Sequence, residues 1–157
     1  YGYAITTYVG QNLGAKEYRR IRNGVRSGVY MALITSIVIS GVMVITGRNI
    51  LSLFVSGEAG QVKQVLDIAY KYLFIMAIFL WVLYLLYVYR SAIQGLGNTL
   101  IPLTSGVVEF CMRVVVALLL PKLIGEDGIF YAEICAWSGA AILLIVSYVA
   151  IIRKYKE

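Results

Sequence analysis

The sequence predicts an all-α polytopic membrane protein with four complete transmembrane helices plus the end of a fifth. Three observations carry that prediction. Hydrophobic residues make up 61% of the 157 and charged residues 14%, against about 25% charged in soluble domains. Mean hydropathy is +0.82, and the apolar residues lie in runs long enough to cross a hydrocarbon core of about 30 Å. The basic residues gather mostly in short segments between those runs, as they do when a bilayer sorts the charge of its loops.

The run from Tyr1 to Val9 opens without a methionine and is too short to span. It is read as the last turns of a membrane helix in a longer protein, and no signal peptide is visible in it. A polar, basic stretch follows over residues 10–24. Lys16, Arg19, Arg20 and Arg22, with Arg26 just beyond it, stand against one acid, Glu17, which assigns the segment to the cytoplasmic side as a topology anchor, or as a contact for lipid headgroups.

Gly24, Gly28, Ala32, Ser36 and Ser40 then recur at intervals of four. Small residues at that spacing form one ridge on which another helix backbone packs closely, and the first full span is placed from Arg26 to Thr46. Gly47-Arg48 interrupts it, and a kink or a helix end is expected there. Residues 56–60 read as a turn, and Gln61 to Asp67 as the polar start of the next helix.

The second span is placed from Ile68 to Tyr89. Its aromatics near the ends suit an interfacial belt. Trp81 and Tyr84 lie deeper, so they meet packing partners or a cavity. Arg90 marks the cytoplasmic edge. Tyr89 to Pro102 is the densest polar and glycine punctuation between two apolar runs. Gly95 and Gly97 allow positive φ, and Asn98 or Thr99 caps the helix that follows. The third span, Leu100 to Leu120, carries Glu109 and Arg113 four residues apart on one face. A charge at the bilayer centre costs roughly 2.5–3.5 kcal/mol, so the pair must face protein or water, either as a structural ion pair or as a gate or relay. Residues 121–128 read as an outer loop. The last span, Ile129 to Ile152, has Glu133 in its first turns and ends in the basic tail Arg153-Lys154-Tyr155-Lys156-Glu157.

Alternating these spans puts nine basic residues on the side of the first loop, the 89–102 turn and the tail. Arg48, Lys63, Lys71 and Lys122 fall on the other. The C-terminus is therefore expected in the cytoplasm. Cys111 and Cys135 fall within apolar runs and read as small buried hydrophobes rather than a disulfide. The absence of histidine removes Ser-His-Asp and Cys-His catalysis and the His-containing zinc motifs. The scattered acids suit neither a metal site nor acid–base work. No enzyme, cofactor or metal is expected, and the cations form no aromatic-laced stripe for nucleic acid.

Two loop stretches are more specific. Val9-Gly-Gln-Asn-Leu-Gly-Ala-Lys-Glu-Tyr-Arg-Arg-Ile and Tyr89-Arg-Ser-Ala-Ile-Gln-Gly-Leu-Gly-Asn-Thr-Leu-Ile-Pro, followed by Glu109-x-x-x-Arg113 and Gly128-Ile129-x-x-Ala132-Glu133-x-x-Ala136-Trp137, resemble in content and order the multidrug and toxic compound extrusion (MATE) transporters. The resemblance covers essentially the whole chain. It implies half of a twelve-helix, two-lobe transporter: residues 1–157 as a partial C-terminal lobe, from the end of helix eight through helix twelve, completed by the N-terminal lobe of the same protein. It implies export of amphipathic or cationic organic compounds in exchange for sodium or protons, from a plasma membrane such as the bacterial inner membrane. Alternating access around a midplane site supplies the mechanism.

Glu109, Arg113, Tyr84 and Trp81 are then candidates for the substrate or ion pathway, and Arg90, Gln94, Gly95, Gly97 and Asn98 for a cytoplasmic hairpin or gate. Some members carry an acidic coupling residue in helix ten, here Ile68 to Tyr89, which has none. Others use helix one. A lipid-linked oligosaccharide flippase of the same superfamily and a non-transporting membrane scaffold are the alternatives. Fourteen helices in the full protein would favour the flippase, and a purely structural Glu109–Arg113 pair the scaffold.

Overall fold

The structure, a computed structural model, describes residues 2–57 and 59–155, apart from the side chains of Ala59 and Glu126. Glu58 of the expected turn and the last two residues of the tail lie outside the described residues. Five α-helices follow one another: α1 Gly2–Gly14, α2 Tyr18–Ser52, α3 Ala59–Gly95, α4 Leu100–Ile124 and α5 Phe130–Ile152, with a 3₁₀ turn at Glu126–Ile129 before the last. Three stretches are long and apolar enough to cross a membrane: Tyr18–Ser52, Gly60–Gly95 and Asp127–Ile152. The protein is thus an all-α polytopic membrane protein, and α4, which carries the two mid-helix charges, is a further helix of 25 residues.

The first four helices overrun the bounds that the sequence suggests, whereas α5 keeps to them, starting one residue later and ending at Ile152 as expected. α1 continues through Gly14 and α2 starts at Tyr18, so the expected loop over 10–24 shrinks to Ala15-Lys16-Glu17. There the Glu17 N–H donates to the Asn12 carbonyl at 2.8 Å and the Lys16 N–H to Leu13 at 3.0 Å, with Lys16 at φ +59°. These are the two bonds of a Schellman ending with a left-handed residue. α2 does not end at Gly47 but runs on to Ser52. Gly47 is buried, and a Cβ there would stand 2.9 Å from the Leu73 side chain. It is a point of close helix approach, which glycine serves without breaking a tertiary-supported helix. α4 likewise continues through Pro121 to Ile124, so the expected outer loop reduces to Gly125 and the 3₁₀ turn.

α3 is the central element, packing on α1, α2 and α5, while α4 packs on α5 and touches α3 only lightly. The small-residue ridge of α2 meets this centre. Gly28 lies against Ile5 and Val88, Ala32 and Ser36 are buried, and Ser40 Oγ donates to the Ala77 carbonyl at 2.6 Å. The apolar core gathers at one end of the bundle, where Val9, Ile21, Leu86, Ile93 and Leu144 are fully buried. That same end holds the α1–α2 turn, the α3–α4 turn and the tail, joined by Arg22 Nη2 donating to the Tyr155 carbonyl at 2.7 Å. At the other end Arg48 pairs with Asp67 and Lys71 with Asp127, each at 2.6 Å. Outward faces carry Ile34, Ile37 and Ile45 on α2 and Leu103, Phe110 and Leu118 on α4. Such faces are stable where the surrounding solvent is lipid.

Candidate functional site: a charged seam across three helices

Glu109 and Arg113 do form the ion pair that their spacing suggests, with Arg113 Nη2 donating to Glu109 Oε1 at 3.2 Å. They are the middle of something longer. From α3, Arg90 Nη2 donates to Glu109 Oε2 at 3.0 Å and to Ser105 Oγ at 3.2 Å. From α4, Arg113 Nη2 also donates to Glu133 Oε2 on α5 at 2.9 Å. Charges alternate along the row Arg90–Glu109–Arg113–Glu133, two cations and two anions, so the seam is neutral as a whole. Neutrality matters because an unpaired ion away from water costs several kcal/mol, whereas a paired and hydrogen-bonded one is tolerated.

The helices place these groups for simple reasons. Ser105, Glu109 and Arg113 recur every four residues and therefore rise along one face of α4. The other face presents Leu103, Val107, Phe110 and Leu118. The side chains of Glu109 and Arg90 are 19% and 22% exposed, and those of Glu133 and Arg113 somewhat more. Arg90, taken from sequence as an edge charge, is instead turned into the bundle. Its guanidinium also lies 5.9 Å from the Tyr87 ring centroid, within cation–π range. Arg90 Nε and Arg113 Nε are buried without an acceptor among the described residues.

The remaining candidates separate. Tyr84 is half-buried and lines a cavity of about 300 Å³ with Gly2, Ala32, Leu83, Tyr87 and Val88, while Trp81 is 44% exposed on the outside. Gln94 is exposed at the last turn of α3. Gly97 has φ +81° and closes α3 with the same pair of bonds as Lys16: Gly97 N–H to the Gln94 carbonyl at 2.9 Å and Asn98 N–H to Ile93 at 3.2 Å. Gly95 does not take positive φ. It is helical and pressed on α1, where a Cβ would stand 2.7 Å from the Thr6 carbonyl oxygen. Asn98, not Thr99, supplies the side-chain cap, its Oδ1 accepting the Ile101 N–H at 3.0 Å. Cys111 is exposed rather than buried, Cys135 is half-buried, and both are free thiols.

Arg90 and Glu133 as partners of the Glu109–Arg113 pair, and Ser105 beside them, are what sequence reasoning misses. One signal was available. Arg90 and Glu133 are themselves one cation and one anion, so they can join the Glu109–Arg113 pair without leaving a charge over.

No group of three or more His, Cys, Asp or Glu among the described residues could hold a metal ion. The fold and the seam define a multi-pass membrane protein that keeps acidic and basic side chains paired with one another inside its helix bundle. The sequence model of the MatE family matches residues 1–119, about three quarters of the chain, and the chain belongs to that family of membrane transporters, which are not enzymes and use ion gradients. No curated protein matches the chain. The family match ends within α4, after Glu109 and Arg113 and before Glu133.

Proposed function

We propose that the chain is the part of a MATE-type secondary antiporter that runs from the end of helix eight through helix twelve. Its protein exports amphipathic or cationic organic compounds in exchange for sodium or protons. The order of the two loop motifs, the Glu109–Arg113 element and the Glu133 segment supports this placement. On this reading α4 is the fourth full span: its 25 residues extend about 37 Å at 1.5 Å each, and partners offset its two charges. The end that holds the α1–α2 turn, the 96–99 turn and the tail is cytoplasmic, in a plasma membrane.

The observation that carries the reading is the neutral seam. A lobe built only to pack would do better with apolar side chains of similar volume, whereas exchangeable ion pairs between helices suit a bundle that rearranges. The aromatic cavity beside Tyr84 and Tyr87 is the place for an organic substrate to lie against this half of the pathway.

The test is efflux of a cationic dye from cells or proteoliposomes carrying the full-length protein. Dye accumulation is expected to fall when a sodium or proton gradient is imposed and to recover when both are collapsed. Efflux that ignores both gradients refutes antiport.

A further inference from the structure

One face of α2 changes chemistry along its length. Arg19, Arg22 and Arg26 stand three and four residues apart, one above another on the helix surface. Tyr30 comes four residues later, then Ile34 and Ile37, and all six side chains are exposed. Like charges on one helix face repel one another, and Arg22 is engaged with the Tyr155 carbonyl, so Arg19 and Arg26 on either side of it are the charges that a counter-anion would relieve.

The fold adds to it. The Tyr155 ring stacks on Tyr18 with centroids 5.0 Å apart, and Arg22 Nη2 holds the Tyr155 carbonyl. The exposed Arg153 and Lys154 are thereby brought to the same end. Glu17, 3.9 Å from Arg20 Nε, is the one acid in these segments among the described residues. At the opposite end Arg48 and Lys71 are each matched by an aspartate. Positive charge is therefore concentrated at one end and ordered along one face.

Its depth follows from the helix. No charge occurs over residues 27–47, and those 21 residues extend about 32 Å at 1.5 Å each, close to the roughly 30 Å of hydrocarbon. Arg26 and Tyr30 then stand at the headgroup boundary, with Arg19 and Arg22 beyond it in the aqueous headgroup layer. Arg26 bends toward Tyr30, its Nη2 donating to the Tyr30 hydroxyl at 3.2 Å and its guanidinium carbon 5.6 Å from the ring centroid. Basic, aromatic and aliphatic groups succeed one another in the order in which a phospholipid presents phosphate, glycerol and acyl chain.

We propose that this face of α2, with the Arg153–Lys154 tail beside it, binds an anionic phospholipid. The phosphate headgroup lies against Arg19, Arg22 and Arg26, and an acyl chain runs along Ile34 and Ile37. The inference does not rest on the antiporter reading. It is tested with the full-length protein reconstituted in phosphatidylcholine vesicles with or without phosphatidylglycerol, the retained phosphatidylglycerol being counted by native mass spectrometry after detergent extraction.

The wild type is expected to retain phosphatidylglycerol. R19Q/R26Q, which leaves the Arg22–Tyr155 bond in place, is expected to bind it roughly 25-fold more weakly, at about fivefold for each arginine near an anionic surface. K63Q/K122Q, altered at the opposite end, is expected to retain it fully. Equal retention by wild type and R19Q/R26Q, or equal loss from K63Q/K122Q, overturns the proposal. Should R19Q/R26Q not fold, wild-type retention must still collapse in 1 M salt, where the screening length is about 3 Å, and salt-insensitive retention overturns it. Inorganic phosphate that displaces the lipid as well as excess phosphatidylglycerol does would leave the acyl chain no part in binding and overturn the phospholipid as occupant.

Discussion

Glu109 accepts hydrogen bonds from arginines on two helices, so its removal leaves Arg90 without a carboxylate and Arg113 with Glu133 alone. E109Q is expected to destabilise the protein by about 3 kcal/mol, the lower end of what breaking a buried pair costs, because the seam is only about four-fifths buried at this point. The unfolding midpoint in detergent measures it. The compensating partner differs from the one that spacing along α4 suggests. E109Q/R113M looks balanced by sequence, yet it leaves Arg90 without a carboxylate and Glu133 without an arginine. R90M/E109Q removes one charge of each sign and keeps Arg113–Glu133 at 2.9 Å. It is expected to recover most of the loss, and E109Q/R113M little. The opposite ranking would show that the seam is not a shared network. Glu109–Arg113 was legible because both residues lie on one helix, where periodicity fixes the distance. Arg90 and Glu133 depend on how α3 and α5 sit beside α4, which no local spacing encodes.

At the scale of elements, the two turns at the core-bearing end share one backbone solution with different residues at its demanding position. Gly97 fills the left-handed site after α3 and Lys16 the one after α1. A non-glycine residue there costs about 1–2 kcal/mol. K16G is therefore expected to stabilise by about 1 kcal/mol and G97A to destabilise by about as much. G95A is expected to cost more than this conformational term alone. Its Cβ would fall 2.7 Å from both the Thr6 carbonyl oxygen and the Val9 Cβ, neither of which rotates away, and overpacking of this kind costs about 1–3 kcal/mol. Denaturation of the three variants side by side checks the order, and G95A as mild as G97A would refute the close approach of α1 and α3. The existence and sequence of the helices were readable from apolar runs, as were the start of α4 at Leu100 and the end of α5 at Ile152, but most of the other ends were not. Polar residues such as Arg19, Asp67 and Lys122 mark where hydrocarbon gives way to water, whereas the hydrogen-bond ladder continues past them at no cost.

For the whole molecule, the structure sorts the loops into two ends and leaves their sidedness to electrostatics. Lys16, Arg19, Arg20, Arg22, Arg26, Arg153 and Lys154 lie at the end of the α3–α4 turn. Arg48, Lys63, Lys71 and Lys122 lie at the other. Arg90, now part of the seam, drops out of that balance without reversing it. Basic residues are retained on the cytoplasmic side during insertion, so the 96–99 turn is expected there. A single thiol in that turn reports the sidedness directly. Thr99 is the position of choice because it is exposed and makes no side-chain cap bond, whereas replacing Asn98 would remove the cap of α4 at about 1 kcal/mol. The exposed Cys111 must first be replaced together with Cys135. In that background T99C is expected to react with a membrane-impermeant maleimide only from the cytoplasmic face, in inside-out vesicles, and K122C only in intact cells. Both thiols then report one orientation by opposite outcomes, so poor reagent access cannot imitate the result. T99C labelling in intact cells together with K122C labelling in inside-out vesicles would invert the chain, placing the basic stripe of α2 in the outer leaflet and making the charge asymmetry an exception to the rule that predicts it.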